Sequence, residues 1–545
     1  MDGEAAAPTR SRKGCWTCRQ KKVKCDESRP SCRRCLRLNR HCDYSPRARK
    51  PYVRRQPRQR IQRRDQEQEQ EPQDNQAQQT LSPQHPGSEE NSLPGQTLSV
   101  ASATPESSAG ALWPKLSEAD HDAIHCFRTV VSRSVDTKDT EFSVPAIIAS
   151  LAKTEAMVLH MICALGHHER RYQEQSNCSA TAAVEHYSSA MILVAQALQQ
   201  EETQCEQTPP NLDSTLATLW LMIVYEQRYG DGQGHGLIAH LKGAAIFLQH
   251  RLGNLRSLLE HNFSEPAEMW HISPLAGRMI IWIAFLDAGA ESHQLGGEFN
   301  RALGVAMAGL GENEIMSRLR GYTAIHRYST SLHMCTWGAT YPQIQLLEDL
   351  ESREVFSLYG ECGQMRHVLA QLAVTTTDPL PVARALHDIS QRYGEILAVA
   401  PRLNAGYAGG HEKFVINTRY VVPFYHALVL WYFRITAPTT AFKSKSKQQH
   451  ALDDILTLAY QAYRDEGELA MTRIAWPLFM TAIETDDLAH QDWISARFAY
   501  LRSRGENYRR ASKALLFVVT EQRKRGARVD FSARFESGEL ERFVI

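Results

Sequence analysis

The chain has 545 residues, and its 62 Lys or Arg against 61 Asp or Glu leave a formal charge of +1. That length excludes a single small core and calls for several packed regions with linkers between them. Its longest apolar stretches, 278–286 and 420–433, fall short of the roughly 18 to 20 residues a bilayer span needs, so a soluble chain without a membrane partner is expected.

Counted by segment, the charge separates. Residues 10–64 hold 21 Lys or Arg against three Asp or Glu, about +18, which leaves about −15 from residue 65 onward. Cysteine separates in the same way, with six of the 12 lying between Cys15 and Cys42. The start MDGEAAAPTR has neither an apolar run nor a cleavage site. Nothing in it suggests secretion or an oxidising compartment, and dense cysteine in a reducing one points to metal more than to disulfides.

Residues 1–13 read as a disordered terminus and 14–46 as a small module nucleated by metal. The module is two copies of one half-motif: Cys15 and Cys18, six residues to Cys25, six more to Cys32, then Cys35 and Cys42. Each C-x2-C places two sulfurs within reach of one ion, and zinc takes four ligands in a tetrahedron. Two ions need eight positions from six thiolates, so two sulfurs are shared. Symmetry nominates Cys15 and Cys32, leaving Cys18 and Cys25 to complete one ion and Cys35 and Cys42 the other. Two Zn(2+) are thus the expected cofactors, and their binding is expected to supply most of the folding free energy of so small a segment. Three disulfides are the alternative, as is a zinc ribbon or RING-like module, but the latter uses two separate sets of four ligands. His41 reads as a surface histidine, and Trp16 is expected to pack over the cluster.

The segment CWTCRQKKVKCDESRPSCRRCLRLNRHCDYSP resembles the binuclear zinc cluster of fungal transcription factors, and every cysteine spacing fits. The resemblance implies a short helix following each C-x2-C. It also implies that the end of the first helix enters the DNA major groove, where the Lys21 and Lys22 pair reads a CGG triplet; Lys can donate to guanine O6 and N7. Arg19, Lys24, Arg33 and Arg34 are expected on the DNA, with Arg19 and Lys24 on phosphates, which fix register without reading sequence. Pro30 matches the family's turn proline.

Residues 47–64 carry nine Lys or Arg, no acid, and prolines at 51 and 57. They read as a basic tail in which Arg54, Arg55 and Arg58 strengthen DNA binding through counterion release, and as a possible nuclear import signal. No heptad pattern runs from Tyr44 to Gln79, so this segment offers no coiled-coil seam. Residues 65–111, rich in Gln, Ser and Pro, read as a disordered linker with a reach of roughly 40 Å.

From residue 112 to 545 apolar residues recur at helical spacing and strand alternation is scarce, which predicts a large all-α body. Leu212, Leu216, Leu219, Trp220, Ile223 and Val224 mark one amphipathic helix, with Asn211 or Asp213 as its cap. After a loop at 230–236, Leu237, Ile238, Leu241, Ala245 and Leu248 begin another face. GRMIIWIAFLDAG is apolar nearly all round and predicts a buried central helix.

Three stretches, LATLWLMIVYEQRYG with HLKGAAIFLQHR, AWPLFMTAIETDD, and DWISARFAYLRSRGENYRRASKALLFVV, resemble the fungal-specific transcription factor domain. The recurring positions include His240, Gly243, Ala244, Trp476, Pro477 and Glu484. The resemblance implies a regulatory body that receives a small-molecule effector or recruits co-regulators and the transcription machinery. The expected protein is a nuclear, zinc-dependent RNA polymerase II transcription regulator that binds CGG-containing double-stranded DNA, with any homodimer formed through the helical body. One alternative is a DNA-tethered interaction platform that represses by occupying sites. Another is a tethered enzyme, against which there is no P-loop, no GxGxxG after a strand, no GxSxG and no HExxH. His167, His168, His235 and His240 come nearest to a catalytic or metal cluster and read as surface or core histidines.

Overall fold

The computed structural model describes residues 14–20, 23–38, 40–44, 116–135, 137–174, 178–203, 212–264, 272–307, 314–375, 377–407, 409–436, 446–530, 534–535 and 537–545. The chain divides into a unit spanning Met1–Pro94 and a second spanning Gly95–Ile545. Among the described residues every regular element is helical and no strand occurs. The basic tail, the linker and residues 1–13 named above lie outside the described residues.

In the first unit two short helices, Trp16–Gln20 and Arg33–Arg37, flank the cysteines. They begin inside each C-x2-C pair, whereas the resemblance implied helices following the pairs. The local reason is capping: Cys32 is the N-cap of the second helix, and its sulfur accepts from the Cys35 N–H at 3.4 Å. The equivalent bond, from Cys18 N–H to Cys15 Sγ, is also 3.4 Å. Residue types that start helices elsewhere with oxygen are replaced here by thiol sulfur. The Arg29–Pro30 peptide is cis.

The body holds two apolar cores. The first gathers residues from Ile124 to Leu332 together with Val544, and the second gathers residues from Leu319 to Phe543. Helix starts follow side-chain chemistry. Ser117 and Asp120 form a reciprocal capping box, and Ser273 caps Pro274–Glu291, which has proline in its first turn. Leu212–Tyr229 forms as its spacing predicts, buried from Ser214 to Tyr225. Asn211 lies outside the described residues, while Asp213 accepts from the hydroxyl of Ser273. In His235–Leu252 the residues Leu237, Leu241, Ala245 and Leu248 are buried, but Ile238 is 37% exposed, because it is one residue round from Leu237 and faces away from the core.

Pro274–Glu291 is the buried central helix the sequence predicts. It packs on Leu212–Tyr229 in the first half, and on Glu314–Ser329 and Gln343–Val374 toward the second. Gln343–Val374 and Glu412–Thr436 form the main pairing of the second half. One polar knot is fully buried on the central helix: Asp287 accepts from the N–H groups of Gly297 (2.8 Å) and Asn300 (2.9 Å), and Gln364 donates to Asn300 Oδ1 at 2.8 Å. Burial pushes the Asp287 carboxyl up to about 6 against the pull of those bonds.

The segment before Ile545 ties the two cores together. Phe543 belongs to the second core and Val544 to the first. Val544 N–H donates to Asn507 Oδ1 at 2.8 Å, Gln227 donates to the Val544 carbonyl at 3.2 Å, and both Arg366 Nη groups lie 3.0 Å from the Ile545 carbonyl.

Candidate metal centre and nucleic-acid interface

Among the described residues of the first unit, the buried hydrophobic positions are Cys15, Cys18, Cys25, Cys32 and Cys35, with Cys42 partly buried beside them. The six sulfurs fall into two tetrads, Cys15, Cys18, Cys25, Cys32 and Cys15, Cys32, Cys35, Cys42, each with all sulfurs within 4.8 Å of one another. Both tetrads contain Cys15 and Cys32. The separations are 3.8 Å for Cys15 to Cys32, 3.7 Å for Cys15 to Cys35 and 3.7 Å for Cys18 to Cys32. A tetrahedron with zinc–sulfur bonds of about 2.3 Å has edges of about 3.8 Å. A disulfide would need about 2.05 Å, and all six cysteines are free. The residues present therefore suit a pair of zinc ions, held by two tetrahedra that share an edge.

Burial pushes the Cys15 and Cys35 thiols well above the usual thiol range, so the cluster cannot collect six negative charges without cations among them. Backbone donors help: Cys32 N–H reaches Cys42 Sγ at 3.2 Å and Glu27 N–H reaches Cys25 Sγ at 3.4 Å. The module is closed by Trp16 N–H to the Asp43 carbonyl (2.7 Å) and Thr17 Oγ1 to the His41 carbonyl (2.8 Å).

Val23 and Tyr44 pack against the sulfurs, and the Tyr44 hydroxyl lies 3.6 Å from Cys25 Sγ. Neither was singled out from the sequence; an aromatic two residues past the last cysteine was the available signal. Trp16, expected over the cluster, is half-buried. His41 is exposed and stands in neither tetrad.

Lys24, Arg33, Arg34, Arg37 and Arg40 are exposed. Arg19 belongs to the first helix, and the Lys21 and Lys22 pair follows its last residue, Gln20. Lys21, Lys22, Arg54, Arg55 and Arg58 lie outside the described residues.

In the body, the recurring positions are structural. Trp476 is buried, with the Arg366 guanidinium 4.1 Å from its ring centre. Glu484 is buried between Arg434 (2.7 Å) and Arg528 (2.6 Å). His240 meets the Tyr187 hydroxyl, which also donates to Glu226 at 2.7 Å. His235 is exposed beside Asp231, and His168 stacks on Tyr229 with its Nδ1 2.8 Å from the Tyr225 hydroxyl. No helix among the described residues is long and apolar enough to cross a membrane.

A sulfur-cored module sized for two zinc ions, rimmed by exposed cations and carried by the same chain as a helical body, defines a zinc-cluster DNA-binding regulator. Residues 13–51 match the fungal Zn(2)-Cys(6) binuclear cluster domain, and residues 124–518 match the fungal specific transcription factor domain. The second match covers most of the chain, which therefore belongs to the fungal transcription factors that carry this domain behind a zinc cluster. The family is one of transcription regulators, and the Zn(2)-Cys(6) domain that the chain carries binds two zinc ions.

Similar proteins include transcription factor lfc1 of Flammulina velutipes, 52% identical over 50 residues, or 8% of this chain and 18% of the relative. The aspercryptin biosynthesis cluster-specific transcription regulator atnN of Emericella nidulans is 63% identical over 38 residues, 7% of this chain and 6% of the relative. Transcription factor gsfR2 of Penicillium aethiopicum is 49% identical over 53 residues, 10% of this chain and 12% of the relative. The matched segments are thus under a fifth of these relatives' lengths. No solved structure matches the chain.

Proposed function

We propose that this regulator acts in the nucleus and recognises CGG-containing promoter DNA through its zinc-loaded N-terminal module. Cys15, Cys18, Cys25 and Cys32 hold one ion, and Cys15, Cys32, Cys35 and Cys42 the other. The observation that carries this reading is the pair of sulfur tetrads with a common edge. Two divalent ions among six thiolates leave a cluster charge near −2, which the cations around it offset.

In this reading Lys21 and Lys22 donate to guanine in the major groove, Arg19 and Lys24 hold phosphates and set the register, and Arg33 and Arg34 also lie on the DNA. Arg54, Arg55 and Arg58 add salt-dependent affinity that is blind to sequence. A single small module covers about 600 to 1,000 Å² of protein surface, so useful selectivity calls for a second copy or for the basic tail. With no heptad seam after the cluster, any homodimer forms through the helical body. That body receives a small-molecule effector or recruits co-regulators and the transcription machinery, and zinc supplies a fold without taking part in chemistry.

The test is fluorescence anisotropy of the full-length protein on duplexes with and without a CGG triplet, before and after chelation. Loss of the preference on chelation, restored by Zn(II), is expected. Unchanged binding after the metal has been removed, or equal affinity for both duplexes, overturns the reading.

A further inference from the structure

A second gathering of metal-type ligands lies in the helical body, away from the cysteine module in sequence. Asp120 on Glu118–Cys126, His167 on Ala156–Glu174 and His186 on Cys178–Thr203 converge from three helices. Asp120 Oδ1 lies 2.8 Å from His167 Nε2 and 3.0 Å from His186 Nε2. The side chains of His167, Asp120 and His186 are 2%, 14% and 15% exposed, so the cluster is sheltered but not sealed.

Two features preorganise it. Ser117 N–H donates to Asp120 Oδ2 at 2.9 Å, which leaves Oδ1 directed at the imidazoles, and His186 Nδ1 lies 2.8 Å from His160 Nδ1. Such outer partners orient the ligands of metal sites and set their tautomers. The backbone approach is also specific. A Cβ on Gly166, next to His167, would stand 1.9 Å from the Ala123 carbonyl oxygen, so glycine there lets the two helices close to the distance at which His167 reaches Asp120.

We propose that Asp120, His167 and His186 form a third metal site, for a divalent transition-metal ion of which Zn(II) is the best matched. Two imidazoles and one carboxylate are a common zinc donor set, with water in the fourth position. Without the ion, His167 and His186 each donate Nε2–H to Asp120 Oδ1, and His160 donates Nδ1–H to His186. With the ion on both Nε2 atoms, His167 and His186 carry their protons on Nδ1. His186 then donates to His160, which tautomerises so that its proton moves from Nδ1 to Nε2; the bond reverses and each imidazole retains one proton. The ion fastens three helices near the start of the regulatory body and makes that body responsive to metal supply.

Full-length protein is loaded with Zn(II), cleared of loosely held metal by gel filtration and analysed for metal. Three equivalents per chain are expected, with two after His186→Ala or Asp120→Asn. A chain whose cysteine cluster fails to load would retain one equivalent, lost in either variant, so failure of the module and failure of this site are distinguishable. Two equivalents in the unmodified chain, unchanged by either variant, overturn the proposal, as does a His186→Ala chain that keeps the full count. Co(II) loading needs no variant. Sulfur ligation gives intense charge-transfer absorption, and the third equivalent is expected to add weak visible bands alone. Further charge-transfer absorption with that equivalent assigns it to sulfur and refutes the site.

Discussion

Replacing a shared cysteine and replacing an unshared one are expected to have different consequences. Cys32→Ser removes a corner from both sulfur tetrads and the acceptor that caps the second helix, whereas Cys42→Ser removes a corner from one. Each structural zinc contributes roughly 10 kcal/mol or more to folding. The buried apolar groups described in the module are the cysteines themselves, so little else is left to hold it. Cys32→Ser thus forfeits about 20 kcal/mol and unfolds the module, while Cys42→Ser keeps about 10 kcal/mol from the tetrad of Cys15, Cys18, Cys25 and Cys32. Metal analysis of the full-length chain is expected to show a loss of two equivalents in the first variant and one in the second. Anisotropy on CGG duplexes should find binding abolished in the first and weakened in the second. Equal loss of one equivalent in both would refute the sharing of Cys32.

Lys21→Ala is expected to relax triplet selectivity, whereas Arg55→Ala or Arg58→Ala should weaken all duplexes alike and reduce the salt slope by about 1; binding isotherms at several salt concentrations separate the two. In the body, Arg419 is fully buried and held by Asp465 at 2.8 Å, so Asp465→Asn strands a charge and should cost about 3 kcal/mol in a denaturant melt. Hydrogen bonding by Arg464, and then by Arg419, holds the Asp465 carboxyl at about 2 against the opposing effect of burial. Its stabilising contribution is therefore complete above the unfolded value of about 3.9 and is lost as pH falls through about 2; acid unfolding of Asp465→Asn should lack that component. Phe543→Ala, at a residue 1% exposed between His293 and Phe479, should lower stability by about 3 to 5 kcal/mol in the same melt.

The cysteine grouping was legible because ligand count and spacing obey local arithmetic: eight positions, six sulfurs, two equal halves. Leu212–Tyr229 and Pro274–Glu291 were legible because burial of one face, or of all faces, leaves a periodic mark. Ile238 shows the limit of that mark, since an apolar residue one position from the stripe turns outward without any change in composition. His167 was read as an ordinary histidine. Its partners Asp120 and His186 are 47 and 19 residues away, and only the packing of three helices brings them together. The Asp287, Asn300 and Gln364 knot was hidden for the same reason, as was the reach of Val544 into the first core. Long-range polar pairing leaves no periodic trace.

A module whose interior is sulfur divides labour among its residues in an unusual way. The atoms that grip metal point inward, while Lys24, Arg33, Arg34, Arg37 and Arg40 face solvent and hold up none of the buried interior. Exchanging such side chains changes what the surface meets at little expense to folding. In the proposed reading, single substitutions at these outward positions can therefore tune affinity for DNA and its salt dependence on an unaltered scaffold, leaving the choice of triplet to Lys21 and Lys22.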